Sequence, residues 1–78
     1  MYEGMDPVQI GKTLKGLREQ KGESAEELSK ALNISASAVA MYETGKRVPR
    51  DEIKIRIAEH FGVTIESIFF PEKQHSAC

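Results

Sequence analysis

Seventy-eight residues are enough for one small domain with a single core, and 40% hydrophobic against 29% charged residues is the balance of a globular chain. A formal net charge of −1 excludes a uniformly basic binder of polyanions, so any nucleic-acid contact needs positive charge gathered in one place. The single cysteine, Cys78, excludes an internal disulfide, and no apolar run approaches the roughly 18 residues of a membrane span.

The opening, MYEGMDPVQ, lacks a basic region followed by an apolar one, and the expected setting is the cytoplasm. Residues 1–6 read as an N-terminal arm. In DPVQ, Asp6 is a helix cap, Pro7 suits the first helical position and Gln9 stands at capping-box spacing. Ile10, Leu14 and Leu17 then form one apolar stripe, which Lys21 and Gly22 end. SAEE is a second capping box, Ser24 with Glu27, opening a helix that carries Leu28, Ala31 and Leu32 and stops at Asn33. Ser35 caps a third helix whose inner face is Val39 with Tyr42, closed by Gly45. A fourth starts at Arg50 or Asp51, after Pro49, with Ile53, Ile57 and Phe61 on one side, Ala58 beside them and Gly62 at the end. Thr64 caps a short fifth helix bearing Ile65, Ile68 and Phe69, and Pro71 stops it. EKQHSAC has no periodicity, so 71–78 is expected to be a mobile tail behind a domain over 7–70. No segment alternates as a half-buried strand would. The expected fold is all-α, five short helices around one core.

The gap between the second and third helices is the most specific feature. Leu28, Leu32, Ile34 and Val39 place apolar residues on both sides of a turn running from Asn33 to Ser35. A corner this tight sets two helices at a steep angle, the geometry in which one helix enters the DNA major groove while the other lies across the backbone. With that corner, IGKTLKGLREQKG, SAEELSKALNIS, SAVAMYETGKRVP and IAEHFGVTIESIF together resemble the phage-repressor or Cro-like (XRE-type) helix-turn-helix family. The likeness runs from about Ile10 to Phe69, and its most specific part is Tyr42-Glu43-x-Gly45-Lys46-Arg47-x-Pro49.

This resemblance implies a compact five-helix bundle of the lambda-repressor type that binds double-stranded DNA, with helix three as the recognition helix. The base-facing positions it implies are Ala36, Ser37, Ala40 and Met41. Ser24, Ala25, Ser35, Lys46, Arg47 and Arg50 stand at phosphate-contacting positions, and Arg18 with Glu43 stands as a structural ion pair. Three departures qualify it. Ala25 replaces a common phosphate-binding Gln, leaving backbone N–H groups and Ser24 for that contact. Ser29 replaces a frequent alanine, with its hydroxyl expected to bond back to a helix carbonyl. Helix three opens without the Gln, Asn or Arg that often reads bases; Ala and Met can pack on a thymine methyl, and Ser can donate or accept. Each position therefore discriminates weakly, and selectivity is shared with half-site spacing and DNA shape.

Between Thr44 and Arg56, the cations Lys46, Arg47, Arg50, Lys54 and Arg56 face only two anions, Asp51 and Glu52. Ile65, Ile68, Phe69 and Phe70 form a dense apolar group. Ile65 and Phe69 are expected to close the core, and Ile68 and Phe70 to stay exposed as a homodimer contact, giving a two-fold dimer on a pseudo-palindromic operator. A monomer with all four in the core is the competing expectation. No catalysis, cofactor or metal is expected: neither His60 nor His75 has a partner at ligand spacing, and no glycine-rich phosphate loop is present. The expected function is a sequence-specific transcriptional regulator, a repressor by preference; the alternative is a protein-docking module on the same fold, such as an antitoxin.

Overall fold

Four of the five helices among the described residues begin where a short side chain takes up otherwise unpaired N–H groups. The structure is a computed structural model that describes residues 6–70; the arm before Asp6, the tail over 71–78, and with them His75 and Cys78, lie outside the described residues. Asp6 accepts from the N–H groups of Val8 and Gln9 and opens α1 (Pro7–Lys21). At α2 (Ala25–Leu32) both halves of the capping box are made: Glu27 N–H donates to Ser24 Oγ at 3.0 Å, and Ser24 N–H donates to Glu27 Oε1 at 2.9 Å. Ser35 opens α3 (Ala36–Glu43) and Thr64 opens α5 (Ile65–Phe69), each accepting one N–H from the first turn. Arg50 stands at the cap of α4 (Asp51–Phe61) without a side-chain bond; there Asp51 and Glu52 answer the positive end of the helix dipole.

Asn33 ends α2 in the left-handed region at φ 60°, the sole residue other than glycine there among the described residues. Its N–H bonds to the Lys30 carbonyl and that of Ile34 to the Ser29 carbonyl. The chain thus turns sharply enough for Ser35 to start α3 two residues later.

α3 packs on α1 and α2, α4 on α2 and α5, and α5 closes back on α1. Ile10, Leu14, Leu28, Leu32, Val39, Tyr42, Ile53, Ile57, Ile68 and Phe69 form the core. Full burial of such side chains contributes about 1.5–3 kcal/mol each. Leu17 and Phe61 pack on its edge, and Ala31, which the apolar spacing of α2 assigned inward, is exposed.

Helix α5 differs from its sequence reading. Phe69 is buried as expected, but so is Ile68, expected at the surface, while Ile65, expected inside, is half-buried with Phe70. Ile68 therefore cannot form the outer contact expected of it. Five residues leave the rotation of a helix undetermined by periodicity, and here packing against α1 and α4 decides it.

Candidate nucleic-acid interface

The two faces of α3 do different things. Val39 and Tyr42 point into the core, whereas Ala36, Ser37, Ala40 and Met41 are exposed, Met41 with 41% of its surface. All four positions implied as base-facing thus lie on one open face. Ser37, Ala40, Met41, Thr44 and Lys46 line a shallow depression on it. Thr44 was not singled out from sequence, although its spacing four after Ala40 was the available signal. Its hydroxyl turns back to the carbonyls of Ala40 (2.9 Å) and Met41 (3.3 Å), so it offers its methyl rather than a donor.

Two contacts fix how far this helix stands out. Gly11 on α1 is buried against the end of α3, where an added Cβ would lie 2.4 Å from the Glu43 carbonyl oxygen and 2.6 Å from that of Tyr42. Arg18 then grips the same end: its Nε donates to Glu43 Oε2 at 2.7 Å and its Nη2 to Oε1 at 3.3 Å, a two-pronged pair. The third arm, Nη1, donates to the Glu23 carbonyl at 2.8 Å and ties in the α1–α2 loop. The bond from Glu43 raises the Arg18 pKa, burial opposes it, and the charges of Glu43, Glu19 and Glu23 add to the rise. A raised cation pKa stabilises the fold at every pH below its unfolded value and the gain is lost as pH rises through the folded value, so the Arg18 share of this clasp is constant across the neutral range.

The five cations divide by task. Arg56 Nη1 donates to the Leu32 carbonyl at 3.0 Å, capping α2 from α4, and Nη2 to Glu52 at 2.8 Å. Lys54 pairs with Asp51 at 3.6 Å and lies over the rings of Phe69 and Phe70. Lys46, Arg47 and Arg50 are exposed, and their side chains have no hydrogen-bond or ion-pair partner among the described residues. Arg47, Arg50 and Arg56 line a cleft together with Glu52 and with Asn33 and Ile34 of the α2–α3 turn. A guanidinium held by no protein group is free to meet an anion.

At the start of α2, Ala25 packs its side chain towards the core, so only backbone N–H groups and the Ser24 hydroxyl face outward there. The oxygens of Ser24 and Ser35 already accept capping bonds, which leaves each hydroxyl its hydrogen to donate. Ser29 is buried, and its hydroxyl donates to the Glu26 carbonyl at 2.7 Å.

His60 carries a contact that spacing did not disclose. Its Nε2 lies 2.7 Å from Glu23 Oε2, 37 residues away in the chain, joining the last turn of α4 to the α1–α2 loop. No group of three or more His, Cys, Asp or Glu that could hold a metal occurs among the described residues.

Comparison with known proteins agrees with this geometry. A family model described as "Helix-turn-helix" matches residues 14–68, from the middle of α1 to α5. No curated protein matches the sequence. Among solved structures, the restriction-modification controller protein C.AhdI from Aeromonas hydrophila is similar, with a TM-score of 0.76 and 28% identity over 82% of this chain and 97% of that one. The clp gene regulator ClgR from C. glutamicum has the same fold, with a TM-score of 0.73 and 21% identity over 85% of this chain and 86% of that one. With a tight corner between α2 and α3, an open face on α3 and unpaired cations just beyond it, the chain belongs to the helix-turn-helix family.

Proposed function

We propose that this protein is a sequence-specific DNA-binding transcriptional regulator, a repressor by preference, that lays α3 in the major groove. The observation that carries this is the coincidence of an exposed α3 face with Lys46, Arg47 and Arg50, three cations that no protein group occupies. Ser24 and Ser35 and the first-turn N–H groups behind them are further phosphate donors. The 28% identity to a restriction-modification controller protein supports a regulatory role. Affinity for random duplex is expected to fall as salt rises, with a slope of about −0.9 for each phosphate met. Changing Lys46, Arg47 and Arg50 together to alanine should weaken binding uniformly across sequences and flatten that slope by up to about three such contacts. A duplex affinity that is absent at low salt, or indifferent to salt, would overturn this reading in favour of protein docking.

The cytoplasm is the proposed setting and a homodimer on a pseudo-palindromic operator the proposed assembly. Among the described residues no helix is long and apolar enough to cross a membrane. With Ile68 and Phe69 committed to the core, the contact is assigned to the α4–α5 face, where Ile55 is 47% exposed. Ile55 borders a groove shared with Ile65, Phe70 and Lys54. Sedimentation at micromolar concentration is expected to give a dimer, and Ile55→Glu a folded monomer. A monomer at all concentrations would remove the dimer from the proposal.

A further inference from the structure

The outer face of α3 lacks the side chains that make paired hydrogen bonds to a base. Positions 36, 37, 40, 41 and 44 carry Ala, Ser, Ala, Met and Thr. The Thr44 hydroxyl gives its one hydrogen to helix carbonyls, so the depression beside Ala40 and Met41 is walled mainly by methyl and thioether groups. Ser37 is the one side chain on this wall with a hydroxyl not engaged by the protein. Lys46 stands at its rim, with Arg47 and Arg50 beyond it along the chain. An apolar notch with one unpaired cation on its wall and two more close along the chain suits an apolar group carried on a polyanion. In the major groove of a duplex that group is the C5 methyl of a pyrimidine.

We propose that the α3 face reads a pyrimidine C5 methyl group and accepts 5-methylcytosine in place of thymine. This rests on the DNA-binding reading above. Thymine and 5-methylcytosine carry the methyl on the same ring carbon and differ at the neighbouring edge, an O4 acceptor against an N4 donor. A side chain that only donates, such as Arg, or only accepts, such as an ionised Glu, would tell those edges apart. The Ser37 hydroxyl donates as readily as it accepts, so it tolerates both. The face thus separates cytosine from 5-methylcytosine better than it separates 5-methylcytosine from thymine. Cytosine methylation within the bound site then raises affinity with no change in base sequence.

The test uses the full chain and duplexes selected by it from a random pool. Each thymine of the selected site is replaced in turn by deoxyuridine, which removes the methyl alone. In each half-site at least one replacement is expected to weaken binding about fourfold, the effect of one buried methyl-sized group. At that position a C·G pair should bind more weakly than T·A, and 5-methylcytosine opposite guanine should recover affinity to within about twofold of thymine. Ala40→Gln with Met41→Gln, both at exposed positions, should bring the thymine-to-deoxyuridine ratio to one. Salt-dependent binding in which every deoxyuridine is silent overturns the methyl reading alone. So does 5-methylcytosine that binds no better than cytosine, or a ratio unchanged in the double variant. Absence of salt-dependent duplex binding overturns the DNA reading beneath it.

Discussion

Gly11→Ala is expected to destabilise the domain by about 3 kcal/mol, the upper end of what overpacking a dense interior costs. The added methyl would lie 2.4 Å from one carbonyl oxygen and 2.6 Å from another, both of them backbone at the end of α3. No rotamer can relieve that contact; α1 and α3 must separate. The expected readouts are a lower urea midpoint and a melting temperature down by more than about 10 °C. Gly16, five residues further along the same helix, is the matched control, because nothing lies within 4 Å of its would-be Cβ. Gly16→Ala should stabilise by about 0.5–1 kcal/mol, the intrinsic preference of a helix interior for alanine. If both changes moved stability the same way, the close approach of α1 to α3 would be wrong.

The second large effect is expected from Arg18→Ala, at about 3 kcal/mol, since it strips a mostly buried carboxylate of its counter-charge. The side chains of Arg18 and Glu43 are only 14% and 9% exposed, so water cannot take over the missing role. Glu43→Ala should cost a similar amount by stranding the guanidinium. The pair Arg18→Met with Glu43→Leu should recover most of the loss, because an apolar pair avoids the desolvation that the ion pair incurs. About 1 kcal/mol should remain missing, from the Glu23 carbonyl that Arg18 also serves. A double-mutant cycle from urea titrations measures the coupling, and additive single losses would rule out the clasp.

These two sites also mark what could be read from the chain. Caps and stops were legible because they are local: Asp6, Ser24, Ser35 and Thr64 each bond N–H groups two or three residues ahead, and Asn33 needs only its own dihedral preference. The open face of α3 was legible for the same reason, since Val39 and Tyr42 set the phase of a helix long enough to have one. Gly11 was not, because a glycine in an apolar stripe is the same letter whether it faces solvent or a carbonyl across the core. Glu23 with His60 and Arg56 with the Leu32 carbonyl lie 37 and 24 residues apart, and only tertiary packing brings them together. The phase of α5 was undetermined in the same sense, and Ile68 was misplaced by it.

Eight residues of α3 divide two duties between opposite sides of one rod. Val39, Tyr42 and Glu43 hold it to the body of the protein, while Ala36, Ser37, Ala40 and Met41 carry none of that holding. A change at these outward positions is therefore nearly free of folding cost. If these positions read DNA as proposed, such a domain can drift from one operator to another by single substitutions without passing through an unfolded ancestor.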